Sequence, residues 1–215
     1  LSLTTDSKRS HVADLNAAAL KPAGWDSTPT PSRVAHPVDM VIYELHVRDF
    51  SISDKTVNAA HRGKYLAFTN STSDGMKHLQ ALSRAGVTEV HLLPVFDLAS
   101  VPERGCTVPA VPNAAPDSSA QQAAVMKTAA TDCFNWGYDP WHFTAPEGSF
   151  ASNADDGAAR IREFRAMVQA LHRMNLRVGM DMVTNHTTAS GQHAKSVLDR
   201  IVPGYYQRLD EKGAV

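Results

Sequence analysis

With 215 residues, 43% of them hydrophobic, and a formal net charge of -1, the chain has enough apolar material for a packed core. A nearly balanced charge offers no basic field to hold a nucleic acid, and no apolar run approaches the roughly 18 residues that a bilayer span requires. A neutral ligand is the expectation.

Residues 1–37 are rich in Ser, Thr, Pro and small side chains, and the stretch from Lys21 to Pro37 (KPAGWDSTPTPSRVAHP) reads as a linker with its boundary near Pro37. The chain begins at Leu1 inside a polar stretch, as expected of a segment whose upstream part lies elsewhere. The apolar run MVIYELHV predicts a buried strand over 40–47. Asp74 is placed to cap a helix over 74–85, with Met76, Leu79 and Leu82 at helical spacing and Gly86 where a left-handed cap is needed. VTEVHLLPV predicts a second strand over 87–95, and Pro94 marks its departure from the sheet.

From 96 to 156 only a short helix near 120–127 is legible, and an irregular connection of this length is either functional or disordered. Its second half carries Phe134, Trp136, Tyr138, Asp139 and Trp141, which a spacer would not need, so a functional loop is expected. Residues 158–174 then place Ile161, Phe164, Val168, Leu171 and Met174 on one helical face, leaving Arg160, Arg162, Glu163 and Arg173 elsewhere on the cylinder. Asn175 is suited to end that helix, and LRVGMDMV predicts a third strand over 176–183 that stops at Asn185 and His186.

This β-α-β-loop-α-β order implies parallel strands joined by right-handed crossovers. Polar residues follow each strand: Arg48 and Asp49, then Asp97, then Asn185 and His186. Active sites lie at that C-terminal edge in α/β barrels and open α/β sheets alike. The loop motif FNWGYDP (134–140) suits a sugar, because aromatic faces cover the C–H face of a pyranose while Asp and Asn bond its hydroxyls. An aromatic cluster that merely anchors the loop is the equal alternative at this point. Cys106 and Cys133 lack metal-site spacing, and so low a cysteine count favours two free thiols, with a disulfide the alternative in an oxidising compartment. His142, His186 and His193 do not have the spacing of a zinc site.

The segments VIYELHVRDFS (41–51), FNWGYDP and DMVTNH (181–186) occur in the order found in the α-amylase superfamily of glycoside hydrolases. Within it the chain most resembles the type I pullulanases, limit-dextrinase-like debranching enzymes. SDGMKHLQAL, PEGSFASN, IREFRAMVQALH and SVLDRIVPGYY extend that likeness over nearly the entire chain. The resemblance implies an α/β fold forming the first part of a (β/α)8 TIM barrel, about three strands and two helices. Residues 1–37 would end a preceding β-domain, and 38–215 would be an incomplete catalytic barrel including the long loop at 96–156.

By the same resemblance Tyr138 stacks beneath a glucose unit, Asp139 organises the polar groups beside it, His186 bonds the sugar's hydroxyls and Trp136 lines the wall, with Asp181 and Asn185 in support. The implied reaction is retaining hydrolysis of α-1,6-glucosidic linkages in pullulan, amylopectin and limit dextrins, by two carboxyl groups about 5–5.5 Å apart. Both are expected beyond Val215, so the 215-residue chain alone is expected to be inactive and to need the rest of the catalytic chain. The implied partner is an α-glucan polysaccharide, and the family likeness favours a secreted or periplasmic location. No cofactor is required, and a structural calcium is compatible. The alternatives are a non-catalytic α-glucan-binding or structural fragment, or an isoamylase or branching enzyme, against which FNWGYDP argues. The chain departs from the family pattern at Thr184, usually Tyr, and at Gly179 and Met182, usually branched residues.

Overall fold

The structure is a computed structural model that describes residues 2–3, 5 and 9–215. Its elements in chain order are β1 (Ser2–Leu3), β2 (Ser10–His11), β3 (Ile42–Leu45), α1 (Val47–Ser51), α2 (Asp74–Arg84), β4 (Glu89–Leu92), β5 (Phe96–Leu98), α3 (Ala120–Met126), β6 (Pro140–Pro146), α4 (Gly157–Arg173), β7 (Arg177–Met180) and α5 (Leu198–Ile201). Short 3-10 turns punctuate the connections. No described helix is long and apolar enough to cross a membrane.

The central sheet has the order β3-β4-β7 and is parallel throughout, as the alternating pattern predicts. Its register explains its two faces. Tyr43, Val90 and Val178 align in one row and Leu45 and Leu92 in another, all of them in the apolar core or packed against it, whereas Met180, in register with Leu92, is exposed. The intervening rows, Ile42–Glu89–Arg177 and Glu44–His91–Gly179, put charge on the opposite face. There Arg177 and His91 both pair with Glu89. Gly179 is small for a reason, since a Cβ on it would lie 2.5 Å from the His91 ring.

Helices α2 and α4 form where their caps and apolar periods direct. Ser73, one residue before the expected cap, accepts from Met76 N–H at 3.3 Å, and Asp156 accepts from Ala158 N–H at 2.8 Å. Gly86 and Asn175 both take left-handed backbone after these helices (φ +108° and +60°), so the two predicted stop signals operate. Leu79, Met167, Leu171 and Leu176 are fully buried with Val90 and Leu92, closing the core between helices and sheet.

Arg160 and Glu163, off the apolar stripe of α4, are nevertheless buried. Glu163 accepts from the Ser152 backbone and hydroxyl, and Arg160 enters the carboxylate cluster described below. The 96–156 connection also holds more than its short helix. It leaves and returns as an antiparallel pair, β5 with β6, with register shifts that interrupt the ladder. Neither strand has a period-2 signature, and β6 begins and ends with Pro, so nothing local announces them.

Cys106 and Cys133 form a disulfide across this excursion, in place of the two free thiols that their low number suggested. Their spacing could not show it, because the chain between them, α3 included, must fold back before the sulfurs meet. The segment ahead of β3 lies against α4. Arg165 donates to the Leu15 and Leu20 carbonyls and stacks its guanidinium over Trp25, and Gln169 bonds the Ala23 carbonyl and the Thr28 hydroxyl.

Candidate functional site

The FNWGYDP loop is tied to all three parallel strands at their C-terminal ends. Asn135 makes the turn, its Oδ1 accepting from Gly137 N–H at 2.7 Å while its amide donates to Ser100 at 2.7 Å. Gly137 has φ +98° and packs so closely on Pro94 that a Cβ would come within 2.8 Å of the Pro94 carbonyl oxygen. After β7, Asp181 Oδ2 accepts from the Tyr138 hydroxyl at 2.7 Å and His186 Nε2 lies 2.6 Å from the Tyr138 carbonyl oxygen. Three of the expected residues, Tyr138, Asp181 and His186, therefore meet although 43 and 48 residues separate them in sequence.

The rings that a sugar would need are open. Trp136 is 59% and Tyr138 43% exposed, and Trp136 leans edge-on against Phe134. Chiefly through its bond to Asp181, the Tyr138 phenol is pushed up to about 12, so it stays a donor at any ordinary pH. Asn185 and His186 are exposed and line a cavity of about 420 Å³ with Phe143, Thr184, Tyr206 and Arg208. Thr184, the departure from the family pattern, thus borders open space beside His186. Asp139 behaves differently: both carboxylate oxygens are buried without a hydrogen-bond partner among the described residues, while its carbonyl accepts from Ala99 N–H at 3.0 Å.

Behind the loop lies a buried charge cluster. Asp97, Glu103 and Glu147 bring carboxylate oxygens within 4.8 Å of one another, the kind of grouping that can hold a cation. Its oxygens are already served by protein groups. Arg160 spans both oxygens of Glu103 at 2.6 Å and lies 3.6 Å from Asp97, which also takes His142 at 2.5 Å. Glu147 accepts from the Leu98 and Ser149 backbone. Burial, with Asp97 and Glu103 nearby, pushes its carboxyl up to about 8. The Arg160 guanidinium supplies positive charge to two of these three carboxylates.

Sequence reasoning missed His46. It sits at the end of β3, where its Nδ1 accepts from Asp49 N–H at 3.4 Å as the N-cap of α1 and its Nε2 is 2.8 Å from the Asn135 carbonyl oxygen. The available signal was a His closing an apolar strand run, which more often marks a satisfied core residue.

The fold and this edge define a class: a mixed α/β chain with exposed rings, a carboxylate and an imidazole gathered where parallel strands end. No family model matches the chain. It is 44% identical over 98% of its length to the pullulanase of Klebsiella pneumoniae, and 44% identical over 99% to the chloroplastic pullulanase 1 of Arabidopsis thaliana. The crystal structure of Klebsiella pneumoniae pullulanase complexed with maltotriose superposes on 97% of the chain with a TM-score of 0.86 at 41% identity, covering 24% of that structure. By sequence and by fold, the chain is homologous to a segment of the pullulanases. It spans 23% of the length of each of these two curated relatives.

Proposed function

We propose that the chain is the first part of the (β/α)8 catalytic barrel of a debranching glycoside hydrolase, acting on α-1,6-glucosidic linkages of pullulan and branched dextrins with retention. The observation that carries this reading is Tyr138, an exposed ring locked to Asp181 and His186 at the C-terminal edge of a parallel sheet. A relative with the same fold was solved with maltotriose, a ligand that this edge suits. The unpaired edges of β3 and β7, among the described residues, are where further barrel strands would add.

In this reading Tyr138 is the platform for one glucose unit, His186 bonds its hydroxyls through Nδ1 while Nε2 donates to the Tyr138 carbonyl, Trp136 supplies the wall, and Asp181 and Asn185 hold the strand end. Asp139 follows Tyr138 directly, its carboxylate buried without a hydrogen-bond partner among the described residues. The two reacting carboxyl groups belong to later strands, so this segment binds and orients while the rest of the catalytic chain performs bond cleavage. No cofactor enters such a reaction. The Cys106–Cys133 disulfide suits an oxidising compartment such as the periplasm or the extracellular space.

An α-1,6 bond carries an extra rotatable carbon, so its two chains meet at an angle that a straight groove does not hold in attack geometry. The wall at 134–140 favours the bent substrate by differential binding of its transition state. Supplying the complete enzyme with pullulan and with linear amylose tests this. Maltotriose from pullulan with amylose nearly untouched is expected, whereas rapid amylose cleavage with pullulan spared would overturn the reading.

A further inference from the structure

Three strand ends hold the FNWGYDP loop, and two of the attachments come from residues already assigned to the sugar site or its turn. The third does not. His46 is 6% exposed, with Phe134 at 5.3 Å between ring centroids and Phe150 edge-on at 5.7 Å. Because Nδ1 accepts from Asp49 N–H, the proton of a neutral imidazole must sit on Nε2, where it donates to the Asn135 carbonyl. Asn135 in turn sets the Gly137 turn that precedes Tyr138.

We propose that His46 is a positioning residue for the Tyr138 platform, working as a neutral imidazole that clamps the loop to the end of β3. The inference rests on the sugar-site reading above and adds to it a pH-dependent latch. Protonation would place a hydrogen on Nδ1 facing the Asp49 N–H and strand a cation between two phenyl rings, breaking the α1 cap and favouring release of the loop.

The surroundings agree. Burial holds the imidazole below its ordinary value of 6.5, and this outweighs the hydrogen bond to Asn135 and the nearby charges. Those charges are Asp49 and Arg48, paired with each other at 2.8 Å, whose effects oppose. The loop side presents the Asn135 carbonyl and the Phe134 and Phe150 rings, with Arg48 5.7 Å from the Phe134 centroid. A base whose folded-state value is depressed favours the closed form fully above 6.5, and that preference is lost as pH falls below it.

The test is maltotriose affinity of the complete enzyme, followed by tryptophan fluorescence from pH 7.5 to 4.5, in the parent, His46→Gln, His46→Leu and Tyr138→Ala. Gln keeps a donor near the Nε2 position but does not titrate; Leu keeps neither property. The parent should lose affinity about tenfold as pH falls below 6.5, His46→Gln should bind well with a flat profile, and His46→Leu should bind about tenfold more weakly at every pH while melting cooperatively. If His46→Leu binds as the parent does, or if His46→Gln retains the parent's acid loss, the proposal for His46 fails while the site reading stands. Failure of the parent to bind maltotriose at any pH, or undiminished binding by Tyr138→Ala, overturns the site reading and this inference with it.

Discussion

Replacing Arg160 by Met should destabilise the protein more than any loss of apolar packing at that position would suggest. Arg160 has no exposed side-chain surface, and its partners Glu103 and Asp97 are 3% and 4% exposed. The guanidinium also donates to the carbonyls of Ala154 and Pro146, so one side chain joins β5, the chain after it, the end of β6 and α4. Met fills much of the same volume and leaves the carboxylates behind. Breaking a buried pair by removing one partner costs about 3–5 kcal/mol, chiefly because the remaining charge is buried uncompensated. At about 2–4 °C per kcal/mol for a domain of this size, the apparent Tm should fall by about 6–20 °C. Circular dichroism melts of parent and variant measure this, and limited proteolysis should find the β5–β6 excursion opened first. Adding Glu103→Gln to Arg160→Met should recover part of the loss by removing the orphaned charge. A single variant that melts within about 2 °C of the parent would refute the argument that the cluster is held by this cation.

Tyr138→Phe removes only the hydroxyl that bonds Asp181, whereas Tyr138→Ala removes the platform as well. In the complete enzyme kcat/KM on pullulan should fall about tenfold for Phe and roughly a hundredfold or more for Ala; equal effects would show that the ring face plays no part. Glu147 gives a pH dependence of stability with a definite sign. Its folded-state value of about 8 lies above the ordinary 4.5, so its contribution is fully present below 4.5 and declines as pH rises to about 8. The Tm of Glu147→Gln should therefore gain on that of the parent across this window, and a difference independent of pH would count against the buried, protonated carboxyl.

Much of the framework was legible because it depends on neighbours in sequence. Apolar runs marked β3, β4 and β7, helical spacing marked α2 and α4, and Gly86 and Asn175 marked where the helices stop. The motifs also located Tyr138, Asp181 and His186, but only the folded chain joined them, over separations of 43 and 48 residues. Local pattern assigns a charged residue to solvent by default, since desolvating it is costly unless a partner is present. Arg160 escapes that default because Glu103 lies 57 residues away in sequence and 2.6 Å away in space. His46 likewise reads as a strand end until the Asn135 carbonyl, 89 residues further on, is brought against it. Cys106 and Cys133 pair for the same reason, through a fold-back that their spacing does not encode. Periodicity and turn chemistry are short-range properties, and they marked the three parallel strands and the helices packed on them, though not β5 or β6. Burial of charge, cross-loop hydrogen bonds and the disulfide depend on which distant groups meet, so tertiary structure alone decided them.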